Sequence, residues 1–402
     1  MYNIGFFNMN VLPMKNRIKV IYECFFEILK DHYAVSLMPN YIKSITKSNY
    51  LRQVQIAAEN YDAFFGYDRT FLQVRKSIKK NIPVILPLYA DMTMGGMTLW
   101  INQSNFKIND TLLFSCKSDY DIYKKICTQS SLKTAIVPLP IGKKFEYCGN
   151  KLMRVFSNKC LHFLYVGRLT SSKNIHGLLE LCRNLKGYIE FILILVGTWD
   201  YYLEGHEYKN HVENLVIQYD LVNFVIFKGY LEDDQLIQEY QNADVFINLT
   251  LNKDENFGLA QVEAMSQGLP IICSDWGGLK DHVVHGWNGY KIQTQYINGD
   301  IQLDMDKALM YTCRICNPDI RKMMSENAKQ RYLEKYCRNR INYDIQHIFH
   351  NAIASSNEPV QICFSNEANS YCMQRVFCSI KQSGYSSESK YLDMYASPIN
   401  ED

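Results

Sequence analysis

No stretch of the 402 residues approaches the ~18 consecutive apolar positions that a membrane-spanning helix needs. The strongly apolar runs, such as Phe191-Ile-Leu-Ile-Leu-Val196, have the length of a β-strand. The first residues, Met1-Tyr-Asn-Ile-Gly5, place no basic segment ahead of an apolar one, so a secretory leader is not expected. Cysteine is present but unorganised. The thirteen lie singly, their number is odd, and Cys313-Arg-Ile-Cys316 has no second pair at zinc-ligand spacing. No metal is expected, and the thiols are read as reduced in a cytoplasmic protein. No Gly-x-Gly-x-x-Gly follows any strand, which argues against an NAD-dependent enzyme. Charge of one sign is lacking too. Against 43 Lys and Arg stand 41 Asp and Glu, a net of +2, and no nucleic-acid partner is expected.

What is present is enough for packed cores: 47% hydrophobic and 13% aromatic residues exclude wholesale disorder. The length suits about two domains of ~150 residues plus an extension. The neutral total hides an asymmetry. Residues 1–148 carry 19 Lys and Arg against 11 Asp and Glu, a net of +8, and the remainder has a net of −6. Thirteen of the 20 glycines fall between Gly167 and Gly299, where permissive backbone or close approach of a ligand is needed.

Apolar strands alternate with amphipathic helices along both halves, the pattern of mainly parallel, helix-covered sheets. The first series has strands near Asn3–Phe7, Ala34–Met38, Ala63–Phe65, Ile82–Leu86, Thr111–Ser115 and Thr134–Val137. Pro138-Leu-Pro140 and Gly142 then interrupt it as a hinge. The second series has strands near Leu161–Val166, Glu190–Val196, Phe224–Phe227, Asp244–Leu249 and Pro270–Cys273, and helices near Lys173–Leu185, Glu207–Tyr219, Asp233–Gln241 and Leu259–Ser266. From Asp304 to about Ala354 the pattern is helical, broken at Asn317-Pro318. The domains expected are 1–148, 149–354 with terminal helices, and a poorly ordered tail over 355–402.

Three constellations carry chemistry. Glu255-Asn-Phe-Gly-Leu-Ala-Gln-Val-Glu263 follows a strand and opens a helix, so the amides of Phe257, Gly258 and Leu259 are expected at an anion- or hydroxyl-binding helix N-terminus. A capping acid and an ordinary helix-surface Glu are the bland alternative. Gly167-Arg168-Leu-Thr-Ser-Ser-Lys173-Asn174 fills a strand-to-helix turn; a planar fork of donors and a compact ammonium together suit a diphosphate without metal. Ser274-Asp275-Trp-Gly277-Gly278 follows another strand, and its glycine pair permits close backbone approach or a simple turn. Gly286-Trp-Asn288-Gly289 reads as a turn, and the glycosylation pattern Asn248-Leu-Thr250, beside the proposed cleft, as chance.

From about Phe163 to Tyr336 this ordered set resembles the nucleotide-sugar-binding domain of retaining, family-4 type glycosyltransferases of the GT-B fold. The resemblance runs through Val166-Gly-Arg168, Lys173-Asn174, Leu195-Val-Gly197, Phe227-Lys-Gly229, the Glu-x7-Glu segment and Ser274-Asp275-x-Gly277-Gly278. It implies two Rossmann-like α/β domains facing across a cleft. It implies that Arg168 and Lys173 neutralise the donor diphosphate, that Glu255 with the amides around Gly258 holds the donor sugar, and that Glu263 holds the ribose hydroxyls; Gly167, Asn256, Phe257, Gly258, Leu259 and Glu263 are the expected donor-binding residues. Arg168, Lys173 and Glu255 are the expected catalytic residues, with no cofactor beyond the nucleotide diphosphate sugar as co-substrate. The expected acceptor is a glycan or a lipid-linked one, in cell-surface polysaccharide biosynthesis.

The acceptor half departs from the family pattern. Phe6-Phe-Asn-Met-Asn10 has no glycine pair, and Tyr89-Ala-Asp91 stands where the family has histidine; Asp91 is the acceptor-side candidate. Arg75-Lys76 and Lys79-Lys80 form a basic cluster, read as a solvated helix face or a peripheral contact with anionic membrane. Two rivals remain. Asp119-Tyr-Asp121 and Asp304-Met-Asp306 would serve a metal-dependent transferase, although a helix cap accounts for Asp119. A non-catalytic nucleotide-sugar-binding subunit is the other.

Overall fold

The computed structural model describes residues 1–7, 17–38, 47–66, 75, 78, 80–88, 105–146, 160–200, 206–252, 255–297, 300–354 and 362–364. They fall into two compact units, one formed by Met1–Gly142 with Tyr336–Ser387 and the other by Lys143–Lys335 with Glu388–Asp402.

The first unit is a parallel sheet of β1 (Asn3–Phe6), β2 (Ala34–Leu37), β3 (Ala63–Phe65), β4 (Val84–Leu88), β5 (Thr111–Phe114) and β7 (Lys133–Ile136), in the order β2-β1-β3-β4-β5-β7. Its strands agree with the apolar runs of the sequence to within two residues. Helices α1 (Arg17–Lys30), α2 (Lys47–Ala58) and α3 (Lys117–Ile126) belong to the same unit. β3, β4 and β5 are buried along their whole length, as parallel strands covered on both faces must be.

The second unit repeats the plan with β8 (Leu161–Val166), β9 (Phe191–Val196), β10 (Val225–Gly229), β11 (Val245–Asn248), β12 (Ile271–Ser274) and β13 (Gly289–Ile292), ordered β10-β9-β8-β11-β12-β13 and parallel throughout. Helices α4 (Ile175–Leu185), α5 (Glu207–Gln218), α6 (Asp233–Asn242), α7 (Leu259–Ser266) and α8 (Leu279–His282) connect these strands. β14 (Thr294–Ile297) and β15 (Asp300–Leu303) make a hairpin, and α9 (Met305–Ile315) and α10 (Pro318–Lys335) complete the unit. Its core joins Leu161, Phe163 and Tyr165 of β8 to Leu178, Leu179 and Leu181 of α4 and to Val245 and Ile247 of β11. The strand order reverses beside β8. The chain runs from β8 out through β9 and β10, then returns to β11 on the other side of β8 and continues to β13. Such a switch point leaves a crevice at the carboxyl ends of the strands, where open α/β sheets take their ligands.

Three expectations change. The boundary expected after residue 148 falls at Gly142, because the turn Lys143–Phe145 is anchored to the second unit. Ser266 Oγ and Gln267 Nε2 donate to the Phe145 carbonyl at 2.7 and 3.0 Å, and the Phe145 ring meets Tyr240 edge-on. The helical segment does not end with the second unit. After α10 the helix stops, and α11 (Arg338–Ile353) packs in the first unit against α1, β3 and β4. There Phe349 meets Tyr33 and Phe65, and Arg338 pairs with Asp31 at 3.1 Å. Finally, β16 (Ile362–Phe364), inside the expected tail, pairs antiparallel with β6 (Cys127–Ser130). The remainder of 355–402 lies outside the described residues.

Candidate functional site

All the donor-side residues singled out in the sequence sit in the second unit, in the loops that follow β8 and β11 or in the first turns of α7. Strand order makes these loops neighbours. β8 lies between β9 and β11, so residues after Val166 can meet residues after Val196 on one side and after Asn248 on the other.

The Arg168–Lys173 loop is fixed from below. Tyr165, buried in the core, donates its hydroxyl to the Arg168 carbonyl at 2.9 Å. Burial first, and then the Glu255 carboxylate, hold that phenol well above the usual tyrosine range, so it remains a donor. A one-turn helix covers Ser171–Lys173, and Asn174 takes a left-handed conformation, φ 56°. The helix expected from Lys173 therefore begins at Ile175. Asn174 reaches that conformation because its side chain is held: Nδ2 donates to the Leu249 carbonyl at 3.0 Å. Only glycine at 177 leaves room for it, since a Cβ there would collide with the Asn174 amide.

Across the switch point the Leu249–Phe257 loop answers these groups. Thr250 Oγ1 donates to the Ser172 carbonyl at 3.1 Å, and the Leu251 amide does the same at 3.1 Å. Thr250 is fully buried and forms part of the site's frame. Lys173 Nζ and Glu255 Oε2 form an ion pair whose side chains are 16% and 10% exposed. Two residues expected to act on one ligand thus meet in the structure.

Gly258 precedes α7 with φ +76°, and its left-handed turn swings the chain from the loop into the helix. The first amides of α7 have no partner within the helix, and its dipole favours negative charge there. Glu263, one turn on, is buried, and Tyr240 donates to its Oε2 at 2.9 Å. It is therefore no surface glutamate. Phe257 packs edge-on against His282, ring centroids 4.6 Å apart, and His282 Nε2 donates to the Phe257 carbonyl. Burial lowers the His282 pKa to about 4, so it is neutral at pH 7 and serves the loop as a donor.

The Gly277-Gly278 pair packs the β12 loop onto the Glu255 loop. A Cβ on Gly277 would strike the Glu255 carbonyl oxygen, and one on Gly278 the Asn256 carbonyl oxygen. Trp276, buried, donates its indole to the Asn252 carbonyl at 2.9 Å, and Ser274 Oγ donates to the Thr250 carbonyl at 2.6 Å. The close approach that these glycines permit is protein against protein. Gly286-Trp-Asn288 is a turn that leads into β13, as read.

Arg168 is 56% exposed, and its Nη1 is 2.7 Å from Asp200 Oδ2. Sequence reasoning missed Asp200, Tyr240 and Tyr165, which carry no motif and matter only through partners distant along the chain. Asp91 lies outside the described residues. Arg75 is not on a solvated face. It is 4% exposed, paired with buried Asp110, and donates to the Ile82 carbonyl at 2.7 Å. Lys80 pairs with Asp62 at 3.7 Å. Both Asp-x-Asp segments open helices: Asp119 accepts from Ser115 Oγ at 3.0 Å in the first turn of α3, and Asp304 caps α9. Among the described residues no helix is long and apolar enough to cross a membrane.

Residues 155–331 match the family model for glycosyl transferases group 1. An uncharacterized glycosyltransferase of Methanocaldococcus jannaschii is 29% identical over 174 residues, covering 43% of this chain and 40% of that protein. A lipopolysaccharide 1,2-N-acetylglucosaminetransferase of Salmonella typhimurium is 27% identical over 174 residues, 43% of this chain and 44% of its own. The chain thus spans less than half the length of these curated relatives. Among solved structures, sucrose-phosphate synthase from Thermosynechococcus elongatus superposes with a TM-score of 0.64 over 89% of this chain and 100% of its own, at 17% identity. The Anabaena protein HepE, in complex with UDP and glucose, gives 0.62 over 87% and 100%, at 16% identity. With two parallel Rossmann-like sheets, the chain carries the GT-B fold, and its residues 155–331 match the glycosyl transferases group 1 family.

Proposed function

We propose that the chain is a glycosyltransferase that moves a sugar from a nucleoside diphosphate sugar to a glycan or lipid-linked acceptor, with retention of configuration and without metal, in cell-surface polysaccharide biosynthesis. The observation that carries this reading is the Lys173–Glu255 pair at the switch point, beside the N-terminus of α7 and on the same β8 loop as Arg168. This reading assigns the cations to the leaving diphosphate, the acids to hydroxyls, and the helix amides to a place beside both.

Departure of the nucleoside diphosphate builds negative charge on the β-phosphate while the sugar becomes oxocarbenium-like. Arg168, Lys173 and the dipole of α7 stabilise that charge from fixed positions, the preorganisation that dominates much of catalysis. Glu255 holds the donor sugar with the amides around Gly258, and Glu263, its other side steadied by Tyr240, holds the ribose. The activities named for similar proteins support the class. HepE and a pneumococcal O-GlcNAc transferase were solved with UDP. The relatives include a colanic acid biosynthesis glycosyltransferase of Salmonella typhimurium and an amylovoran biosynthesis glycosyltransferase of Erwinia amylovora.

The enzyme works in the cytoplasm, and its basic first half touches anionic membrane; liposome flotation with and without acidic lipid tests that contact. A non-catalytic nucleotide-sugar-binding subunit is the second reading, favoured by Tyr89-Ala-Asp91 following β4 in place of histidine.

Removing one charged hydrogen bond costs roughly 1.5–3 kcal/mol, so Arg168→Ala lowers turnover at saturating donor about ten- to a hundredfold. Unchanged turnover refutes the assignment. Product stereochemistry by NMR tests retention, and turnover in excess chelator tests metal independence. Donor binding with no transfer to any of a broad acceptor panel supports the subunit reading instead.

A further inference from the structure

Both cations of the candidate site are already engaged by carboxylates. Lys173 is held by Glu255, to which the donor-binding reading gives a role toward the sugar. Arg168 is held by Asp200, to which that reading gives none.

The geometry that brings Asp200 to Arg168 is built in. The loops after β8 and β9 run on as a short extension of the sheet, with Leu169 bridged to Trp199 and the Leu169 amide donating to the Thr198 carbonyl at 2.9 Å. Gly197, φ +144°, makes this possible, because a Cβ there would collide with the Gly167 carbonyl oxygen. Tyr165 pins the backbone of Arg168 from beneath. What remains movable is the arginine side chain, 56% exposed, against an Asp200 side chain only 15% exposed. An anchored anion therefore faces a guanidinium that can turn to another partner. Arginine suits this because its donors form a fork that serves carboxylate and phosphate equally well.

Resting on the donor reading above, we propose that Asp200 is a positioning residue that competes with the diphosphate for Arg168. It holds the guanidinium between turnovers, gives it up when the nucleotide sugar enters, and takes it back as the nucleoside diphosphate leaves. The charge exchange sets the affinity for nucleotide. Without Asp200 the guanidinium would have no anionic rival to its bound phosphate, and the product would be held more tightly.

The test is a double-mutant cycle by isothermal titration calorimetry on the full chain, with UDP, GDP, dTDP and ADP as probes at about 50 mM salt. Wild type, Asp200→Asn, Arg168→Ala and the double variant are compared, with Asp200→Ser as a second form of the same change. Asp200→Asn is expected to tighten the best-bound nucleotide about three- to tenfold, the scale of one unit charge at ion-pair distance screened as in bulk water. The gain shrinks as salt rises and vanishes in the Arg168→Ala background. A merely structural ion pair would not give that dependence. Affinity that is unchanged or weaker in both Asp200 variants overturns the proposal, as does a gain that persists without Arg168. If Arg168→Ala leaves nucleotide affinity unaltered, or if none of the four probes binds, the donor reading itself falls and the proposal with it.

Discussion

Lys173 Nζ and Glu255 Oε2 are joined in an ion pair across the switch point of the second sheet, 82 residues apart along the chain. Neither side chain is more than 16% exposed, so each relies on the other for most of its charge balance. Lys173→Ala leaves the carboxylate half-dry without its partner and costs about 1–3 kcal/mol of stability. Turnover falls ten- to a hundredfold and nucleoside diphosphate affinity weakens. Glu255→Gln is expected to separate the roles: nucleotide affinity survives in calorimetry while turnover falls. Equal loss of nucleotide binding in both variants would show that the glutamate serves only to place the lysine.

His282 predicts an acid-labile site loop. Its pKa is about 4 in the folded chain, below the ordinary ~6.5 of an unfolded histidine, so between these values the unfolded chain takes up a proton that the folded one refuses. The stabilisation is complete above about pH 7 and is lost as pH falls. The loss reaches about 2 kcal/mol by pH 5 and about 3 kcal/mol by pH 4. Urea melts of the second unit's fluorescence at pH 7 and pH 5 measure the slope. His282→Gln, which keeps a donor for the Phe257 carbonyl but cannot be charged, flattens it.

Gly278→Ala adds one methyl group where the Asn256 carbonyl oxygen already stands. The Glu255–Phe257 loop must retreat, at a cost of about 2–4 kcal/mol. Donor binding is lost at temperatures where circular dichroism still shows a folded chain. Wild-type donor affinity in this variant would mean that the loop is not held by the glycine pair.

Asp110→Asn tests the first unit. The buried carboxylate accepts from the Val84 and Lys107 amides, each at 2.8 Å, and pairs with Arg75. Leaving a buried guanidinium without its counter-ion costs about 3–5 kcal/mol. Thermal melts are expected to show a large drop in the stability of the first unit, and calorimetric UDP affinity, which the proposed function assigns to the second unit, is expected to hold. A melt like wild type would place Arg75 at the surface after all.

The sheets were legible because uninterrupted apolar runs ending in glycine are what a twice-covered parallel strand requires. The loops of the candidate site were legible because each combines charged residues with glycine at a strand end. Other features depend on contacts that sequence spacing does not encode. Arg75 reads as one of four basic residues until Asp110, 35 positions later, is seen to bury it. Asn174 reads as the second residue of a helix until Leu249 is seen to hold it in a left-handed turn. The break at Tyr336-Cys337 has no glycine or proline to mark it, so α10 and α11 read as continuous although they belong to different units.

Helix α11 has a consequence for how the chain is made. Every strand of the first sheet has been synthesised by Ile136, yet the helix that covers Phe65 and Tyr33 follows only after Lys143–Lys335 of the second unit. During that interval the first sheet waits with an aromatic face open to water, dependent on chaperones or on speed. The first unit is therefore finished late, and a ribosome that stops before Arg338 releases its sheet still missing this cover.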